Sequence, residues 1–232
     1  STCRLRKLIM DLLTQRLMMA AAGAAGGKTY ADDVFSTYLY TGNATARSIN
    51  NAVDLAGEGG LVWIKNRSAA FNHRLFDTVT SATKHISTGQ SNAESQASQT
   101  LTAFNSNGFN LGTDSMVNSN NDETASWSFR KAPGFFDIVT YTGSSSARTI
   151  SHNLGCVPGA IFIKKTSGSD YWAVYHEGLD SSSPEDYYLK LNEDVTRIDD
   201  ANFWNDTKPT ASVFSLGDAG AVNSDGHDYV AY

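Results

Sequence analysis

A ten-residue segment occurs twice in this chain, as YTGNATARSI from Tyr40 to Ile49 and as YTGSSSARTI from Tyr141 to Ile150, with six of ten positions identical. Two further blocks follow in the same order. GLVWIK from Gly60 answers GAIFIK from Gly159, and FNLGTDSMVNS from Phe109 answers FSLGDAGAVNS from Phe214 with six of eleven identities. The separations are 101, 99 and 105 residues. Drift of that size puts insertions in loops between elements of fixed order, as a duplicated domain requires. A unit of about 100 residues is domain-sized, longer than a solenoid or propeller repeat. The sequence therefore predicts one domain at 32–130 and its duplicate at 134–232, joined at FRKAPGFF, where Pro133-Gly134 interrupts two strand-like runs.

Within each unit, short runs of β-branched and aromatic residues alternate with Asn, Asp and Gly. In the first unit they predict strands over 34–41, 47–50, 61–66, 73–78, 84–87, 100–104, 109–112 and 124–129. Asn107-Gly108 and Asp225-Gly226 predict hairpin turns, because these residue types tolerate positive φ. The fold class is all-β: two tandem duplicated β-sandwich domains, either jelly-roll and lectin-like or immunoglobulin-like.

Residues 1–27 differ from the rest. Leu5, Leu8, Ile9, Leu12, Leu13 and Leu17 recur at helical spacing and predict an amphipathic assembly helix, followed by an Ala/Gly hinge. Asp11, Gln15 and Arg16 interrupt the apolar stretch, so it makes a poor signal peptide and falls short of the roughly 18 apolar residues of a membrane span; packing of the helix on its own domain, or a signal peptide or membrane-surface helix, are the alternatives. The chain carries 24 acidic and 18 basic residues, and its one basic cluster is Arg4, Arg6 and Lys7, so no nucleic-acid partner is expected. Cys3 and Cys156 fit no metal-ligand or disulfide spacing and are read as free thiols.

The residues that could carry catalysis do not converge in sequence. His73, His85, His152, His176 and His227 are irregularly spaced, and His152 reads as a loop brace. Glu177, Glu185, Asp186, Glu193, Asp194, Asp199 and Asp200 read as a solvated acidic face; paired glycosidase carboxylates are the alternative. NSNNDE from Asn118 and NSDGHD from Asn223 lack the full calcium-loop spacing and read as tight turns. No catalytic residue, metal or cofactor is expected. Matched positions, such as Tyr40 with Tyr141, Arg47 with Arg148 and Trp63 with Phe162, read as scaffold. Unmatched aromatics of the second unit are free to specialise, and Trp172, Tyr187, Tyr188 and Trp204 are the candidates for stacking on a host-surface glycan or receptor.

The stretches GLVWIKNRSAAFNHRLFD, ASWSFRKAPGFFD, ISHNLGCVPGAIFIKK, WAVYHEGL and PTASVFSLG resemble a family of repeated β-domains in tail fibre and other virion structural proteins of tailed bacteriophages. The likeness runs from about Asp33 to Tyr232. It implies a non-enzymatic virion part, a tail fibre or tail-associated appendage held to other virion proteins by the N-terminal helix, assembled in the host cytoplasm and exposed at the phage tail or capsid surface. It also implies a homo-oligomer, with a trimer favoured. A capsid decoration or head fibre protein is the alternative, and a carbohydrate-active enzyme the third reading.

Overall fold

In a computed structural model, which describes residues 29–232, the chain is mostly β-strand, arranged in several antiparallel sheets with a few single-turn helices. The amphipathic helix read for residues 1–27, with Leu5, Leu8, Ile9, Leu12, Leu13 and Leu17, lies outside the described residues. After a helical turn at Ala31–Val34 come β1 (Phe35–Thr41), β2 (Arg47–Asn50), β3 (Gly60–Asn66), β4 (Arg74–Asp77), β5 (Lys84–His85) and β6 (Ser95–Gln96). The first half closes with β7 (Leu101–Asn105), β8 (Gly108–Leu111) and β9 (Glu123–Arg130). The second half contains β10 (Val139–Thr142), β11 (Arg148–Ser151), β12 (Ala160–Lys165) and β13 (Ala173–His176). It continues with β14 (Tyr187–Lys190), β15 (Ile198–Asp199), β16 (Val213–Leu216) and β17 (Asp228–Ala231).

The first half is two-layered and sandwich-like. One sheet has the order β1-β9-β3-β4 and the other β2-β8-β7. Strand alternation turns Tyr40, Val62, Ile64 and Phe76 inward from the first sheet to meet Ile49, Leu101, Phe109 and Leu111 from the second. The second half has a wider sheet, β10-β17-β12-β13-β14-β15, and the pair β11-β16. Its core takes Ile161, Ile163, Tyr175, Tyr229 and Ala231 from the wide sheet and Ile150, Phe214 and Leu216 from the pair.

Polar contacts recur at matched positions. The Tyr40 hydroxyl donates to Val117 O at 2.6 Å, and that of Tyr141 to Val222 O at 2.7 Å. Arg47 donates to Thr41 O at 2.7 Å, and Arg148 to Thr142 O at 2.9 Å. Asn118, fully buried, donates to Thr45 O and Gly112 O and accepts from Asn43 N; Asn223 donates to Ser146 O and Gly217 O and accepts from Ser144 N. The side chains that open the two Asx-rich segments are thus committed to backbone groups, as buried amides must be.

The turns differ in detail from expectation. The β7–β8 hairpin exists, but Asn105 pairs with Gly108, so its loop is Ser106-Asn107. Gly108 has φ +142° and is needed for another reason: a Cβ there would lie 2.0 Å from Ile49 O on the neighbouring strand. Asp225-Gly226 links the helical turn Gly220–Asn223 to β17 instead of joining two strands. His227 N bonds Ser224 O with only Gly226 at positive φ, as in a type II turn.

Candidate functional site

Each main sheet has a second, outward face, and these two faces meet between the halves. From the first half Leu61, Leu75 and Ile86 are buried there, and from the second Ile138, Trp172 and Val230. Trp63, Phe129, Phe136, Phe162 and Tyr232 pack around them, half-buried. The junction is stitched by hydrogen bonds as well as apolar contact. Glu94 N donates to Thr166 O at 3.0 Å, Asp170 N to Ser91 O at 2.8 Å, and the Trp172 indole N–H to Ser87 O at 2.9 Å.

Two ionisable groups are fixed at this junction. Lys164 is fully buried, donating to Ser91 O at 3.1 Å and Lys165 O at 2.8 Å; burial lowers its pKa to about 8, opposed by Asp170 and reinforced by Lys165. The Tyr232 hydroxyl donates to Asp77 Oδ2 at 2.6 Å, while Asp77 Oδ1 accepts from Val79 N and Thr80 N. Burial, then the Asp77 charge, raise the Tyr232 pKa well above its ordinary value, so the phenol remains a donor.

Where the two faces diverge they leave a cleft of about 400 Å³. Trp63 and Phe129 form one wall, Phe162 and Leu191 the other, and Phe135 and Phe136 of the connecting segment close one end. Phe136 stacks on Tyr232 at 6.4 Å between centroids, Phe129 on Phe135 at 6.3 Å, and Trp63 meets Trp127 edge-on at 6.1 Å. The Trp63 indole N–H donates to His73 Nδ1 at 2.8 Å, which holds the ring upright and requires that nitrogen unprotonated. The size and apolar lining suit a ligand group or a partner's side chains. The side-chain hydroxyls in the lining belong to Thr88 and Tyr232, and no carboxylate or histidine is among its lining residues.

The aromatics proposed from sequence for glycan stacking need correction. Trp172 is fully buried at the junction, Tyr188 lies flat against Phe203 at 3.6 Å, and Trp204 is buried with its indole N–H on Tyr187 O. These three are core residues: Tyr188 and Trp204 lie in the second half's own core, which includes the helical turn Ala201–Trp204, and Trp172 is enclosed where the two halves meet. A ring without an exposed face cannot stack on a sugar. Tyr187 is partly exposed but covered by the Arg197 guanidinium, 4.1 Å from the ring centroid. The cleft aromatics Trp63, Phe129, Phe135, Phe136 and Phe162 are not among the candidates that the sequence offers, because it reads the matched pair Trp63 and Phe162 as scaffold and FRKAPGFF as a linker. The concentration of Phe in that linker was the available signal.

His152 is a brace. Leu154 N donates to its Nδ1 at 3.2 Å, which leaves Nε2 to donate to Thr210 O at 3.2 Å. The acidic residues of the second half are dispersed: Asp180 holds Arg197, Glu193 holds Lys190, and Asp200 caps a helical turn. Cys156 is an exposed free thiol. Among the described residues no group of three His, Cys, Asp or Glu side chains could hold a metal ion, and no helix is long and apolar enough to cross a membrane.

The family described as a domain of unknown function (DUF7483) matches residues 30–232. No curated protein and no solved structure matches the chain.

Proposed function

We propose that this chain, which belongs to the DUF7483 family, is a non-enzymatic structural protein of a bacteriophage virion, a tail fibre or tail-associated appendage. In this reading its body is two tandem β-sandwich units related by duplication, and residues 1–27 form a helix that anchors or oligomerises it. The resemblance of its motifs to tail fibre domains supports the virion assignment. The observation that carries the non-enzymatic reading is where the polar side chains go. Tyr40 and Tyr141, Arg47 and Arg148, and Asn118 and Asn223 all hold backbone groups, and the cleft between the halves is apolar and aromatic. Such a surface works by complementarity, and copy number on a virion multiplies its strength.

Labelling virions with an antibody raised against residues 31–232 tests the assignment. Label on the tail or its appendages is the expected result; label on the capsid would favour a decoration or head fibre protein instead, and unlabelled particles would remove the virion reading altogether. Depolymerisation of host polysaccharide that is lost on neutralising Glu177, Glu185 or Asp186 would replace the non-enzymatic reading with a carbohydrate-active one.

A further inference from the structure

The contact between the halves uses a different part of the outward face on each side. The first half contributes chiefly the β3–β4 end of its sheet through Leu61, Trp63, Leu75 and Ile86; the second contributes the β10–β17 end through Ile138, Val230 and Tyr232, together with Phe162 of β12 and Trp172, which directly precedes β13. Beyond these shared central residues, the first half leaves the outward face of β1 open and the second half that of β13 and β14. Register identifies the matching residues. Leu75 pairs with Trp63 and bridges Ile86, just as Val174 pairs with Phe162 and Leu189. Those second-half residues line an open groove of about 460 Å³, extended by Leu191, 38 % exposed, and Val195, 43 % exposed.

The converse holds on the first half. Tyr40 pairs with Thr124 as Tyr141 pairs with Tyr229, so Ile138 corresponds to Thr37 and Tyr232 to Trp127. Thr37 and Trp127 are paired in register on the outward face, flanked by Phe35 and by Leu39, which is 61 % exposed, the highest value among the exposed large apolar residues. Strand β1 carries no charge and no proline to discourage association.

We propose that the chain associates head to tail with further copies of itself, repeating between molecules the contact already made between its halves. The Val174, Leu189 and Val195 face of one copy receives the Phe35, Leu39 and Trp127 face of the next. Because the two surfaces differ, the contact is heterologous: each copy keeps one face free, and growth stays open unless the rotation closes a ring. The occupant is a second copy because the open faces carry the counterparts of residues already seated on each other: Val174 and Leu189 correspond to Leu75 and Ile86, and Thr37 and Trp127 to Ile138 and Tyr232. The proposal rests on the duplication and is independent of the virion assignment.

The test is light scattering on the full chain over a range of concentrations, for the parent and for L39E and V195E. Both positions are exposed and outside the inter-half cleft, so each variant should keep the parent melting profile. The expected result is a mass that rises with concentration in the parent and a rise needing about tenfold or more protein in each variant. A mixture of the two variants should form pairs, since each supplies the face the other lacks, but nothing longer. An oligomer held by residues 1–27 would persist in both variants as a fixed mass, which separates the two modes of assembly. A parent mass that does not grow, growth indifferent to either substitution, or a mixture that forms no pairs overturns the proposal.

Discussion

Trp172 concentrates the difference between a surface aromatic and a core one. Its ring is fully enclosed, packs on Tyr232 at 6.2 Å and donates to Ser87 O from the other half. Removing a ring of that size leaves a cavity and an orphaned carbonyl, so W172A is expected to cost about 3–5 kcal/mol of stability, read from urea or thermal unfolding. Tyr187→Ala should cost under about 1 kcal/mol, since the ring is partly exposed and its Arg197 partner is solvated. Near-equal losses would show that Trp172 is not the core residue described here. Residue type alone could not separate these cases, because Tyr and Trp serve cores and binding faces equally well. Comparison of the repeats also misled for Trp63 and Phe162: they match because both belong to the outward face of β3 or β12, and such a position can be scaffold in one unit and contact surface in the next.

At the scale of elements, β2 was legible to the residue at Arg47–Asn50, and β1, β3 and β7–β9 to within about a residue or two, because their alternating apolar residues sit between strong turn signals. The two-residue strands Ser95–Gln96 and Ile198–Asp199 carry no such pattern, and the four-residue helical turns are too short for helical periodicity to register. The cleft was illegible for a different reason: its walls come from β3, β9, β12 and the connecting segment, which only tertiary packing brings together. One of its supports is titratable. Trp63 donates to His73 Nδ1, and burial followed by the Lys65 charge lowers the His73 pKa. A histidine held neutral contributes stability that is complete above its unfolded value near 6.5 and is lost as pH falls through the lower folded value. His85, lowered by burial and by Arg74, acts in the same direction. The melting temperature should therefore fall as pH drops from 7 towards 5, and H73F should flatten part of that slope and leave the share due to His85. A slope unchanged in H73F would remove His73 from the account.

For the whole molecule, the decisive feature is the junction. Tandem domains on a flexible linker would melt separately, but here Ala31–Tyr232 forms one compact unit, and the third apolar cluster draws on both halves. Backbone bonds from Glu94 to Thr166 and from Asp170 to Ser91, the Tyr232–Asp77 hydrogen bond and the buried Lys164 all cross the boundary. Unfolding either half alone would expose apolar residues such as Leu61, Leu75, Trp172 or Val230 to water and break the bonds of Lys164 to Ser91 O and of Tyr232 to Asp77, a penalty well above that of breaking a polar interdomain contact. Calorimetry should accordingly give one transition, with equal calorimetric and van't Hoff enthalpies, in place of two. W172A, which weakens the junction itself, should lower that transition and begin to split it. Two well-resolved transitions in the parent chain would mean that the halves are energetically independent, and the inter-half contact could then no longer serve as the pattern for association between copies.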